Sequence, residues 1–161
     1  MFLSRVFTLY PDYFPGYLDK GLFGKSKGKE WNLEIINIRD YALDKHKTVD
    51  DTPYGGGNGM IMKADVLASS LDANVKSGEK TIYLSPRGKV FNSKLAREFS
   101  NENSINLICG HFEGVDERIL ESRNIEEISI GDFILSGGEV AAFVVIDSIL
   151  RFIPGILGNL N

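Results

Sequence analysis

The run Ile105-Asn106-Leu107-Ile108-Cys109-Gly110-His111-Phe112-Glu113-Gly114 decides the fold. Its first half is short and mostly apolar, and its second half is a glycine-bounded polar turn. That pattern predicts a buried strand over 105–109 which ends in a loop. The unit recurs on both sides. Upstream, 81–84 is a short apolar strand ending in Ser85-Pro86-Arg87-Gly88, followed by a helix over 93–99. Downstream, a helical turn or two over 116–122 leads to a strand over 125–130 and then to Gly131-Asp132-Phe133-Ile134-Leu135-Ser136-Gly137-Gly138. An apolar helix over 139–152 closes the series and is stopped by Pro154 and Gly155. Strands alternating with helices imply an α/β fold, a parallel sheet with helices on both faces. In such sheets ligands bind beyond the carboxyl ends of the strands, so the three glycine-containing loops predict one small-molecule pocket.

The amino-terminal half is less regular. A strand over 2–9, a short helix over 13–20, a glycine and lysine connector over 21–29 and a strand over 31–38 are expected. Residues 40–59 are polar, carry two charged clusters and include Gly55-Gly56-Gly57-Asn58-Gly59. Structureless loops of that length are usually functional or disordered, so this one is a candidate substrate lid. Its Lys45, His46, Lys47, Asp50 and Asp51 suit RNA and base contacts, and a solvated charge run is the plainer alternative. Val66, Leu67 and Leu71 then predict an amphipathic helix over 63–76.

Composition narrows the function classes. The chain has 161 residues, 43% of them hydrophobic and 25% charged, which suits one soluble domain with its own core. No stretch approaches the roughly 18 to 20 apolar residues that span a bilayer, and the amino terminus lacks a secretory layout, so a cytoplasmic protein without a membrane partner is expected. Cys109 is the one cysteine and reads as a buried strand thiol; with only His46 and His111 there is no metal-ligand spacing, so no metal site is expected. A net charge of −4 argues against a surface coated in nucleic-acid contacts, although a local basic patch can still hold phosphates.

The loops also constrain the ligand. Glycines at strand ends let backbone groups approach closely, and Leu84, Ile130, Ile134 and Leu135 could sandwich a flat ring such as adenine. Tight turns alone would also explain each glycine taken singly. No G-x-G-x-x-G follows a strand, and Gly55 to Gly59 leads into Met60-Ile61-Met62 rather than a P-loop ending. An adenosyl ligand without phosphates, such as S-adenosylmethionine, fits better than a nucleoside polyphosphate, and this counts against a nucleotide-dependent enzyme of the doubly wound type.

Four blocks in order carry a family resemblance: Thr48-Val49-Asp50-Asp51-Thr52-Pro53-Tyr54-Gly55-Gly56-Gly57, Leu84-Ser85-Pro86, Cys109 through Arg118, and Ser129 through Glu139. With these the chain resembles the bacterial tRNA (guanine-N1)-methyltransferases, the TrmD family of the SPOUT superfamily, along its whole length. The resemblance implies a SPOUT-type α/β domain over 1–155 with a deep carboxy-terminal trefoil knot and a homodimer. It implies methyl transfer from S-adenosylmethionine to N1 of the guanine 3′ of the anticodon in tRNA. It assigns cofactor binding to Leu84, Ser85 and Pro86; to Gly110, Phe112, Glu113 and Gly114; and to Ser129, Ile130, Gly131, Asp132, Phe133, Ile134, Leu135, Gly137 and Gly138. Substrate tRNA falls to Lys45, His46, Asp50 and Tyr54. No catalytic role falls to His111.

Guanine N1 becomes nucleophilic as its proton leaves and charge spreads to O6, so a general base and a nearby cation are wanted. Arg151 matches the family's catalytic arginine; a helix-end arginine complementing the dipole is the other reading. The resemblance places the base beyond Asn161, in the linker that 156–161 would begin, ahead of a carboxy-terminal tRNA-binding domain that this sequence lacks. An isolated cofactor-binding module, nearly inactive, is therefore the alternative to the enzyme. The helix over 139–152 is apolar nearly all round, with Phe143, Val144, Ile146 and Leu150, which predicts that part of it faces a second copy.

Overall fold

The computed structural model describes residues 1–44, 49–51, 61–111 and 114–157, with backbone alone for 50, 51 and 61. The strands are β1 (Phe2–Thr8), β2 (Trp31–Asn37), β3 (Asp50–Asp51), β4 (Ile61–Met62), β5 (Lys80–Val90), β6 (Ser104–Cys109) and β7 (Glu126–Ser129). The helices are α1 (Gly21–Ser26), α2 (Ala64–Asn74), α3 (Ser93–Ser100), α4 (Glu117–Ser122) and α5 (Glu139–Leu150). Five strands form one parallel sheet in the order β2-β1-β6-β5-β7, and β3 and β4 form a separate antiparallel pair. In the register, Val6 stands between Ile35 of β2 and Leu107 of β6.

Alternation along the central strands divides the core in two, as a sheet covered on both faces requires. Val6, Ile82, Leu84, Leu107 and Cys109 face α3 and α5, where Leu95, Phe99, Val145 and Ile149 pack against them. Phe7, Tyr83 and Ile108 face the other way, against Val66, Leu67 and Leu71 of α2 and Ile119 and Leu120 of α4. After the edge strand β7 the chain returns across the strand ends: Gly138 N–H donates to Gly110 O at the end of β6, and Thr8 Oγ1 at the end of β1 donates to Glu139 at the start of α5. Three strands are thus bridged by one short segment.

Three expectations need correction. The first strand of the regular half does not stop at Leu84 but runs to Val90, and both Leu84 and Lys89 oppose Ile128, so 85–88 is a bulge within β5. Gly88 permits it, because a Cβ there would strike the Glu127–Ile128 backbone. The helix expected over 13–20 is replaced by two 3-10 turns, Pro11–Tyr13 and Gly16–Asp19, since Phe14 is extended ahead of Pro15, as residues before proline tend to be. The helix falls instead at Gly21–Ser26, where a connector was expected, and Trp31 Nε1–H donates to Phe23 O and Ser26 Oγ to hold it. Within 40–59, read as loop, the described part holds a 3-10 turn, Ile38–Tyr41, and β3 paired with β4.

Midway along β1, a polar latch is built on Arg5, which is 2% exposed. Its Nη1 donates to Glu79 Oε1 and Asn106 Oδ1, both at 2.7 Å, and its Nε to Glu34 Oε1 at 3.2 Å. Burial pushes the Glu79 carboxyl up, but hydrogen bonds from Ser104 and the Lys76 amide, and the bond and charge of Arg5, outweigh it and hold the pKa at about 2. A carboxylate with a lowered pKa contributes stability above its ordinary value of 4.5 and loses it as pH falls toward about 2. Arg5→Ala, which leaves Glu79 and Asn106 without their shared donor, is expected to lower the unfolding free energy by about 3 kcal/mol in denaturant titration. The loss of stability across that acid window is expected to shrink in Glu79→Gln.

Candidate functional site

Ser85, Pro86 and Arg87 in the bulge of β5, Gly110, His111 and Gly114 after β6, and residues of Gly131–Gly138 after β7 come together and enclose a cleft of about 400 Å³. Each edge of it is fixed by a local hydrogen bond or a close approach. Ser85 Oγ accepts from the Arg87 amide at 3.2 Å and turns the bulge. Ser129 Oγ accepts from the Gly131 amide at 3.1 Å and donates to the Gly131 carbonyl at 2.9 Å, which folds the chain sharply after β7. At Gly138 a Cβ would lie 2.8 Å from Cys109 Cα and Gly110 N, so the backbones at 138 and 110 come together only because glycine stands there. Tyr83 packs its ring on Gly110 from below; a Cβ at 110 would lie 2.6 Å from it.

Of the residues proposed from sequence, the cleft brings together Leu84, Ser85 and Pro86; Gly110 and Gly114; and Ser129, Ile130, Gly131, Phe133, Ile134, Leu135, Gly137 and Gly138. Asp132 is exposed and does not line it. Phe112 and Glu113, with Lys45, His46 and Tyr54, lie outside the described residues, as does the side chain of Asp50. The backbone of Asp50 is in β3. That pair is anchored beside the cleft, because Met62 N–H donates to Gly114 O at 3.0 Å and Met62 bridges to Val115. Arg151 caps the carboxyl end of α5, exposed, with its amide on Asp147 O. Since α5 begins at the cleft and a helix of that length rises about 18 Å, Arg151 cannot touch the cleft of its own chain.

Sequence reading missed Tyr83, Ile128 and Ala141, included Arg87 and Ser136 only as members of the pocket loops, and gave no role to His111, although all of them line the cleft. Strand alternation was the available signal for Tyr83 and Ile128. Arg87 brings a guanidinium whose carboxylate neighbours, Glu117 and Glu127, stand at 3.9 and 4.0 Å. Burial, and then the charge of Glu127, push the Tyr83 hydroxyl up to about 12, so it stays a neutral phenol. Burial also pushes the Cys109 thiol well up, with Glu139 adding to it, and removes Cys109 from consideration as a nucleophile. Among the described residues no group of His, Cys, Asp or Glu is placed to hold a metal.

The chemistry is that of a binding cleft with apolar walls and polar edges. Leu84, Ile128 and Ile130 offer walls for a flat ring, while the Ser85, Ser129 and Ser136 hydroxyls and the loop amides and carbonyls offer hydrogen-bonding edges. Phosphate is poorly served. The amino terminus of α5, the natural anion site, carries the carboxylate of Glu139, its first residue. On the outer rim Ile134 is 89% and Phe133 51% exposed, apolar surface that some further contact would cover.

The model of the family described as tRNA (Guanine-1)-methyltransferase TrmD matches residues 2–161. A tRNA (guanine-N(1)-)-methyltransferase of Pelagibacter ubique (strain HTCC1062) is 66% identical over 160 residues, 99% of this chain and 70% of that protein. Proteins of the same name from Bartonella quintana (strain Toulouse) and Rhizobium etli are 54% and 48% identical, each across 98% of this chain and 68% and 69% of their own length. The close approach at the cleft gives a direct check. Gly138→Val must part the backbones at 138 and 110, and is expected to cost about 2 kcal/mol of stability in thermal unfolding.

Proposed function

This chain belongs to the tRNA (guanine-1)-methyltransferase family, and from that membership we propose that its cleft binds S-adenosylmethionine and that it methylates N1 of the guanine 3′ of the anticodon in tRNA. It is an enzyme rather than a binding module without turnover, since relatives that match nearly all of it carry the enzyme's name. The observation that carries the cofactor reading is the cleft itself: ring-sized apolar walls and close-approach glycines, with a buried carboxylate, Glu139, as the first residue of α5 behind it.

The residues fit such a cofactor. Leu84, Ile128 and Ile130 would hold the adenine, and Ser85, Ser129 and the backbone at Gly110 and Gly137 its polar edges. When bound, S-adenosylmethionine supplies a sulfonium-activated methyl group. The protein's own task is to seat guanine with N1 aimed into the cleft, exclude water there, and stabilise the negative charge that grows on O6 as the N1 proton leaves. Arg151 is the residue for that charge. The general base is expected in the family's linker, beyond Asn161, and Lys45, His46, Asp50 and Tyr54 are proposed to meet the tRNA, from a segment whose ends are paired beside Gly114.

Arg151 can serve only if a second copy brings it. A homodimer is supported by the exposed apolar face of α5, where Val140 and Val144 are 52% and 40% exposed beside the bare Phe133 and Ile134 rim. The trefoil knot belongs to the same reading, and the contact of the segment after β7 with the end of β1 is in keeping with it. Among the described residues no helix is long and apolar enough to cross a membrane, and a cytoplasmic enzyme is the reading consistent with a tRNA substrate.

Calorimetry is expected to show S-adenosylmethionine binding and no ATP binding; the reverse would overturn the cofactor assignment. Arg151→Ala is expected to lower turnover by roughly 100-fold with cofactor affinity kept. Mixing it with Gly138→Val, whose cleft is spoiled, would form dimers with one sound site and regain about a quarter of wild-type activity. No regain would refute the contribution of Arg151 across the dimer.

A further inference from the structure

We propose that His111 is a positioning residue for the cofactor cleft, acting through the buried carboxylate of Glu139. This rests on the S-adenosylmethionine reading of the cleft. Glu139 is 1% exposed, and both its oxygens are engaged: Thr8 Oγ1 donates to Oε2 at 2.6 Å, and His111 Nε2 lies 2.6 Å from Oε1. These three residues come from the end of β1, the turn after β6 and the first turn of α5. One carboxylate therefore ties together the elements that meet behind the cleft.

The tie sets the spacing of two cleft walls. The imidazole of His111 fills the space where a Cβ of residue 137 would go, so the wall at Gly137–Gly138 rests on the ring. On another side the ring meets Tyr10, with centroids 4.8 Å apart. Next to it Gly138 N–H donates to Gly110 O at 2.9 Å. An ionised Glu139 requires the proton on Nε2, which orients the ring and so fixes how far 110 and 137 stand apart. Without that donor a buried carboxylate loses one of its two partners, and the walls separate to admit water.

Two substitutions separate this role from direct ligand contact. His111→Gln keeps an N–H donor near the place of Nε2, whereas His111→Leu keeps the bulk and removes the donor. Titrated with S-adenosylmethionine by calorimetry, His111→Leu is expected to raise Kd about tenfold or more, and His111→Gln to stay within about threefold of wild type. In steady state the KM for S-adenosylmethionine is expected to rise in the Leu variant with kcat and the KM for tRNA little changed. Should the Leu variant not fold, His111→Asn takes its place, since its amide is too short to reach Glu139. Wild-type affinity in the donor-less variant overturns the inference. So does equal weakening in both variants, which would mean that the imidazole itself meets the ligand. A wild-type protein that fails to bind S-adenosylmethionine overturns instead the functional reading on which this rests.

Discussion

The hydrogen bond from the Gly138 amide to the Gly110 carbonyl, 2.9 Å long, is the contact on which the arrangement of the loops depends. It joins the turn after β6 to the start of α5, and it forms only because Gly138 has no side chain to keep the backbones apart. From it follow the position of α5 over β1 and β6, the sharp return of the chain from β7, and the enclosure of the cleft between the three loops. The surrounding polar groups are arranged to leave that contact undisturbed. Thr8 and His111 compensate the one carboxylate buried beside it.

Two parts of the sheet are built for different purposes. Midway along β1, a buried Arg5 gathers Glu34 of β2, Asn106 of β6 and Glu79 just ahead of β5 into a charged latch. Beyond it, strand ends open into turns whose backbone is free to approach a ligand. Separating the two lets the binding edge tolerate glycines and a bulge that weaken a sheet, because the latch and the two-sided core supply stability elsewhere. The exposed Phe133, Ile134, Val140 and Val144 mark where that binding edge expects further cover.

Much of this was legible in the residues. Apolar runs at the start of β5 and along β6, and glycines after them, placed the centre of the sheet and its loops, because a strand buried on both faces must be apolar and the turn beyond it must not be. The extension of β5 to Val90 was not legible: a serine, a proline, an arginine and a glycine read as a terminator, and only the absent Cβ of Gly88 against β7 lets the strand resume. The 3-10 turns replacing the helix over 13–20 arise from Pro15, whose effect on Phe14 could have been weighed. His111 was passed over because its partner Glu139 lies 28 residues away, a pairing that only the crossing of the chain creates. Arg151 was legible by resemblance, while its distance from its own cleft needed the length of α5.

The central claim is that this fold seats the guanine 3′ of the anticodon against a methyl donor. The most direct measurement incubates the protein with methyl-labelled S-adenosylmethionine and an unmodified tRNA transcript, then maps the product by primer extension. A label incorporated together with a new block to Watson–Crick pairing at that guanine is the predicted result. Label absent, or placed on another nucleotide, would contradict the account.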